Sequence, residues 1–511
     1  MAADSRWMLL AAVLVGACNV AAFAPFDLWP LQILTLAWLF RQSMRTATLR
    51  RAMLVGWLYG FGWAAAGIHW LYISMHTYGG MPAWMAALAV ALLAAYLGLY
   101  AALTTGLAAW LRRRWAASDT TLLLLILPSL WALSEWIRGW LFTGFPWLTS
   151  GYAHSIGALA GFAPVTGVYG LGWIAALIAG ALVLLLRPAS SKKLAALVVV
   201  GLLAGGWALK SVQWTSPNGK PISVRLLQGN IAQEMKFSNE ALLSSLMMYN
   251  DMISATPADL IATPETAVPL LPQQLPPDYL ERLARFSATS GSHLILGIPL
   301  SDGPGQYTNS AVGFSKELNG KAYRYDKHHL VPFGEFVPPG FRWFVDMMHI
   351  PLGDMTRGAP LQAAFAVKDQ WVLPNICYED LFGEEIAAQL AGAHFAGLPP
   401  ASMLLNLSNI AWFGNSIALP QHLQISQMRA LETGRPMLRS TNTGATAVIT
   451  PDGVVSERLL PFTRNTLAAT VQGYQGLTPY ILLGNKLMLA LTLIMLAFAW
   501  RRQRQSRSSA H

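Results

Sequence analysis

Charge is scarce in this chain. Only 12% of its 511 residues are Asp, Glu, Lys or Arg, against roughly a quarter in soluble domains. That deficit excludes an ordinary water-soluble protein throughout its length. Acidic residues are fewer than basic ones, 25 against 35, yet the surplus does not build a nucleic-acid surface. Much of it gathers in clusters beside apolar runs, at 41–51, 112–114, 187–193 and 501–507, which read as topology signals. Cysteine is rarer still: Cys18 lies in the first apolar run and Cys377 in a polar block. A disulfide needs Cα atoms within about 7 Å, which an intramembrane residue and a soluble one do not offer, so both are expected as free thiols.

Hydrophobic residues, by contrast, make up 54% of the chain, and there are 20 tryptophans, a residue favoured at membrane interfaces. A membrane span needs about 20 mostly apolar residues. Candidate spans lie near 7–23, 28–41, 52–73, 83–111, 120–137, 158–186, 194–210 and 480–500. The first is kept as a span and not read as a cleaved leader, since no small-x-small site follows it. With the N-terminus inside, all four basic clusters fall on the inner side. Both termini are then inside and residues 211–479 outside. The expected plan is membrane helices in 1–210, a soluble domain in 211–479, and a last helix with a basic tail in 480–511.

Glu135 and Arg138 fall near the outer end of the fifth span. They read either as a helix-end ion pair at i, i+3 or as a lipid-headgroup site, since charges at membrane depth are often functional. The run Phe341-Arg342-Trp343-Phe344-Val345 is either a core helix or an arm that dips into lipid, with Trp412 and Phe413 as a second gate.

Residues 211–479 alternate strand and helix patterns. Strands are predicted at 224–228, 260–263, 294–298, 310–314, 371–377, 403–406 and 445–449, with helices at 238–255, 278–290 and 420–433. This is an α/β pattern compatible with a layered sandwich. It places Glu265 and Cys377 at strand ends, where such folds put their sites. A thiol needs a base, and a partly buried Glu can serve. A fixed ammonium such as Lys327 can stabilise the oxyanion formed when a thiolate attacks a carbonyl. Glu335 and Glu379 read as supporting groups or as ordinary surface charges. His328 and His329 have no further ligand at metal-binding spacing, so neither metal nor cofactor is expected.

At Glu265, Lys327 and Cys377 the chain resembles the nitrilase superfamily, whose members carry a Glu-Lys-Cys triad on an α-β-β-α sandwich. More narrowly it resembles the apolipoprotein N-acyltransferase family of bacterial inner-membrane enzymes. The likeness runs through Phe23–Phe26, Gly67–Trp70, Gly79–Pro82, Glu135, Arg138 and Gly144–Trp147. It continues through Pro264-Glu265, Lys327–Glu335, Cys377–Glu379, Ala411–Gly414 and Arg435–Gly444. It implies a polytopic helical membrane protein of about eight spans with an inserted nitrilase-like domain in the periplasm. It also implies ping-pong transfer of a phospholipid's sn-1 acyl chain, phosphatidylethanolamine being the expected donor. Cys377 would carry the chain as a thioester to the α-amino group of a diacylglyceryl-cysteine at an apolipoprotein's N-terminus. Glu335 would orient Lys327, while Tyr378, Glu379 and Asn409 would support the nucleophile. One position departs: the family usually has Asn-Asp before Ala-Trp-Phe-Gly, and this chain has Asn409-Ile410. Two other readings stand beside this one. A membrane-tethered amidase would turn over soluble amides without phospholipid. An impaired lipid- or lipoprotein-binding protein would carry an unreactive Cys377.

Overall fold

The computed structural model describes residues 2–187, 191–232, 239–342 and 354–508. The chain divides into two compact units. One comprises Met1–His76, Pro82–Gln213 and Leu483–His511; the other comprises Thr77–Met81 and Trp214–Leu482.

The first unit is helical. Four of its helices are long and apolar enough to cross a membrane among the described residues: Ala83–Arg114, Asp119–Arg138, Ala158–Leu185 and Lys192–Leu209. Ala83–Arg114 ends in Arg112, Arg113 and Arg114, where cations suit the negative end of the helix dipole. The unit's other helices include Ala2–Cys18, Pro30–Arg45, Leu49–Gly67 and Lys486–Ser508. Leu49–Gly67 packs closely on Ala83–Arg114 through glycine: a Cβ on Gly60 would lie 2.8 Å from the Cα of Gly98. Small residues at such crossings let backbones approach. Two expected spans differ from the structure. The third ends at Gly67, not 73, and the chain then turns into a π-helical segment at Ile73–Tyr78. The last is interrupted at Gly484, whose φ of +53° suits glycine and breaks the helix.

The second unit holds two six-stranded sheets. The first is formed by β1 (Ser216–Gln228), β2 (Leu260–Ala262), β3 (His293–Gly303), β4 (Gln306–Phe314), β5 (Tyr323–Asp326) and β12 (Asn465–Gln475), in the order β12-β1-β2-β3-β4-β5. The second is formed by β6 (Phe365–Val367), β7 (Gln370–Ile376), β8 (Met403–Ser408), β9 (Met437–Thr441), β10 (Ala447–Ile449) and β11 (Val455–Arg458), in the order β11-β10-β9-β8-β7-β6. Side chains alternate across each strand. Leu226 and Leu405 enter an apolar core together with residues of both sheets. Their neighbours face the other way, Leu227 toward helices Asn239–Ser254 and Tyr279–Ser290, and Leu404 toward helices Gly383–Phe395 and Ala418–Thr433. The result is an α-β-β-α sandwich. The strands predicted from periodicity are present; β1, β3, β4 and β8 are longer than expected, and β2 and β10 are shorter. Strands β5, β6, β9, β11 and β12 come in addition to them.

Candidate active site

Three strands end at one place. Glu265 follows β2, Lys327 follows β5, and Cys377 follows β7 at the start of the turn Cys377–Leu381. Glu265 reaches its position because its loop crosses directly over β3. A Cβ on Gly297 would lie 2.2 Å from the Pro264 carbonyl oxygen, so that strand position must be bare.

Glu265, Lys327 and Glu335 form a buried triplet. The Lys327 ammonium, 1% exposed, donates to Glu265 Oε1 at 3.2 Å and to Glu335 Oε1 at 2.9 Å. Burial alone would discharge the lysine, but the two carboxylates outweigh it and hold its pKa well above the ordinary value. Asn309 completes the arrangement. Its Nδ2 donates to Oε1 of both Glu265 and Glu335 at 2.8 Å. Its carbonyl accepts the backbone N–H of Lys327 at 2.8 Å, which ties the end of β5 to β4 beside it. Glu335 is held in turn by the Val331 N–H, which donates to its Oε2 at 2.8 Å.

Cys377 stands against this triplet. The Asn409 N–H donates to Glu265 Oε2 at 2.9 Å and also lies beside the Cys377 sulfur, so thiol and carboxylate share one donor. Burial, reinforced by the Glu265 carboxylate, pushes the Cys377 thiol up to about 12 against the opposing pull of Lys327. The resting group is therefore a thiol. Cys377 has a φ of +52°, a left-handed conformation that costs about 1–2 kcal/mol for a residue with a Cβ.

Glu379 supports the same turn. It accepts the N–H groups of His328 at 2.6 Å, His329 at 3.2 Å and Ile376 at 2.6 Å, and the Tyr325 hydroxyl at 3.0 Å. Burial raises its pKa to about 7, with those N–H groups pulling the other way. Tyr378 packs its ring near those of His329 and Phe382. The two histidines are otherwise engaged: His328 Nδ1 meets the Gly358 carbonyl at 2.8 Å, and His329 Nδ1 meets Glu385 at 2.8 Å. Ile410 is buried in the apolar cluster that includes Leu419 and Leu423, so its aliphatic side chain is matched by its surroundings.

Among the described residues, the other expected ones have partners of their own. Trp412 is partly exposed and packs edge-on to Tyr78, with ring centroids 6.1 Å apart, and Phe413 packs against the cluster that holds Ile410. Trp343 and Phe344 lie outside the described residues. Glu135 and Arg138 belong to the helical unit and pair at 3.5 Å. Arg138 also donates to the carbonyls of Phe145 and Trp147 and to the Thr149 hydroxyl, while Glu135 accepts the N–H and hydroxyl of Ser150. Sequence reasoning missed Asn309, Asn406 and His422. For Asn406 the available signal was a polar residue inside an apolar strand pattern, Leu404-Leu405-Asn406-Leu407, because buried amides require partners.

Comparison with known proteins covers both units. A family model for the apolipoprotein N-acyltransferase N-terminal domain matches residues 15–181, and one for carbon-nitrogen hydrolases matches residues 223–480. The chain is 52% identical to an apolipoprotein N-acyltransferase from Ralstonia nicotianae over 97% of this chain and 93% of that one. It is 44% identical to another from Nitrosomonas europaea over 98% and 99%. Among solved structures, an amidase from Nesterenkonia sp. is 16% identical, with a TM-score of 0.38, over 50% of this chain and 91% of its own. By its sequence matches over nearly its full length, the chain belongs to the apolipoprotein N-acyltransferase family.

Proposed function

We propose that this protein transfers the sn-1 acyl chain of a phospholipid, through a thioester on Cys377, to the α-amino group of a lipoprotein's diacylglyceryl-cysteine. The observation that carries the reading is the convergence of Glu265, Lys327 and Cys377, with one N–H shared between the carboxylate and the sulfur. Glu265 takes the thiol proton as the sulfur attacks the ester carbonyl. The C–S bond forms, the ester C–O bond breaks, and Glu265 returns the proton to the departing lysophospholipid alcohol. In the second half-reaction the amine attacks the thioester. A C–N bond replaces C–S, and the amine proton passes through Glu265 to the sulfur. Lys327, held cationic by its two carboxylates, faces the oxyanion in both halves. Glu335 and Asn309 keep Lys327 and Glu265 in register, and Glu379 with Tyr378 supports the nucleophile turn.

The finer assignments follow from the family and the charge pattern. We place eight helices in the inner membrane, the catalytic unit in the periplasm and both termini in the cytoplasm. Phosphatidylethanolamine is the proposed donor. Trp412 and Phe413 are proposed to act as a gate, and Glu135 with Arg138 to meet a headgroup. The apolar setting of Ile410 favours an intact site over an impaired one.

The test is intact mass after incubation with phosphatidylethanolamine, beside Cys377→Ser. An acyl adduct on the wild type alone, removed by hydroxylamine, is expected. An adduct on neither chain, with Cys377 unreactive to thiol reagents, would leave a lipid-binding protein. Turnover of soluble amides without phospholipid would favour an amidase.

A further inference from the structure

The left-handed backbone at Cys377 is held from outside its own turn. Its carbonyl oxygen meets two side-chain nitrogens, Nε2 of His422 at 3.3 Å and Nδ2 of Asn406 at 3.4 Å. His422 comes from the helix Ala418–Thr433 and Asn406 from β8. The imidazole tautomer follows from its neighbour. Arg439 can only donate, and its Nη2 lies 2.8 Å from His422 Nδ1. Nδ1 therefore accepts, and the proton sits on Nε2, aimed at the Cys377 carbonyl. Arg439 is itself anchored by Asp380 at 3.1 Å, by the Ala445 carbonyl at 3.1 Å, and by the Ser426 hydroxyl. Asp380 belongs to the same turn as Cys377, so the network returns to where it began. On the other side, Asn406 Nδ2 also donates to Asn375 Oδ1 at 2.6 Å. Residues 375–380 are thus gripped at three points: a side chain before the nucleophile, its carbonyl, and a side chain after it.

We propose that His422 and Asn406 are positioning residues that clamp the Cys377 carbonyl and so hold the strained turn that presents its sulfur to Glu265. The proposal rests on Cys377 being the nucleophile. His422 acts as a fixed donor and not as a base, because its Nδ1 faces Arg439 and its Nε2 faces a carbonyl.

The test uses the full-length protein in detergent with phosphatidylethanolamine. It reads the saturated rate of acyl-enzyme formation, the half-saturating lipid concentration and the pH profile. His422→Gln can place its amide nitrogen where Nε2 stands, whereas His422→Asn is too short to reach. His422→Gln is expected to acylate within a few-fold of wild type with an unchanged pH profile. His422→Asn and Asn406→Leu are each expected to slow the saturated rate by about 10- to 100-fold, the scale of a misplaced reacting group, with half-saturation unchanged. Wild-type rates in His422→Asn would overturn the clamp. So would equal losses in the Gln and Asn variants, or loss of a pH limb in His422→Gln. If Asn406→Leu does not fold, the two His422 variants decide. Cys377→Ser run alongside separates the two ideas: an adduct on that variant matching wild type would refute the acyl-enzyme reading itself.

Discussion

At the scale of single residues, the site is a set of charges kept apart from water and matched to one another. Lys327 sits between Glu265 and Glu335. Lys327→Met should therefore do more than slow the reaction, because it leaves two carboxylates facing each other without a cation. We expect a loss of about 3–5 kcal/mol, read as a lowered denaturation midpoint, together with loss of acylation. Glu265→Gln keeps the shape and removes the base, and should lower the acylation rate by about 10²–10⁴-fold, read by single-turnover intact mass. Glu379 gives a pH signature. Its pKa rises from 4.5 to about 7 on burial, so between those values the folded chain holds a proton that the unfolded chain has released. Its contribution to stability is full below its unfolded pKa of 4.5 and is lost as pH rises through about 7. A Glu379→Gln variant should lose that slope in denaturation midpoints measured across the window. Glu265, Lys327 and Cys377 were read as candidates from their chemistry together with the family resemblance, and two of them follow a readable strand. Asn309 and His422 were not, because an amide between Thr308 and Ser310, or an imidazole beside Gln421, reads as ordinary polar sequence until its partners are placed.

At the scale of elements, legibility followed apolar composition more than burial: β9 is buried throughout, yet its Arg439-Ser440-Thr441 half hid it. Strands such as β3 and β8 sit inside the sandwich, and much of each is buried on both faces, which announces them in sequence. β12 and β11 are largely exposed on one face or on both, and their polar residues read as loop. The third and last expected spans are less continuous than their hydropathy suggests, because hydropathy does not register the backbone changes at Gly67 and Gly484. The short turn after Asn409 carries a testable packing claim. Ile410 fills an apolar cluster, so Ile410→Ala should cost about 2–4 kcal/mol through the cavity it leaves. Thermal denaturation in detergent checks this, and acylation by the protein that stays folded should persist.

At the scale of the whole molecule, the basic clusters set the topology reading. With both endogenous cysteines replaced by Ser, a single cysteine at Lys220 should react with a membrane-impermeant maleimide in spheroplasts, and one at Ala116 should react only after lysis. Equal labelling of both would overturn the proposed orientation. The way the catalytic unit enters and leaves the chain has its own consequence. Its first and last strands, β1 and β12, are antiparallel neighbours, with Ser216 opposite Gln475. The long segment Trp214–Leu482 therefore begins and ends on a two-strand stem, and it interrupts the helical unit's chain path much as a hairpin would. Modules can be exchanged at such a stem as loops are exchanged elsewhere: a hybrid joining these helices to the sandwich of a relative is spliced at two junctions that lie side by side, with the short segment Thr77–Met81 of the same unit exchanged alongside.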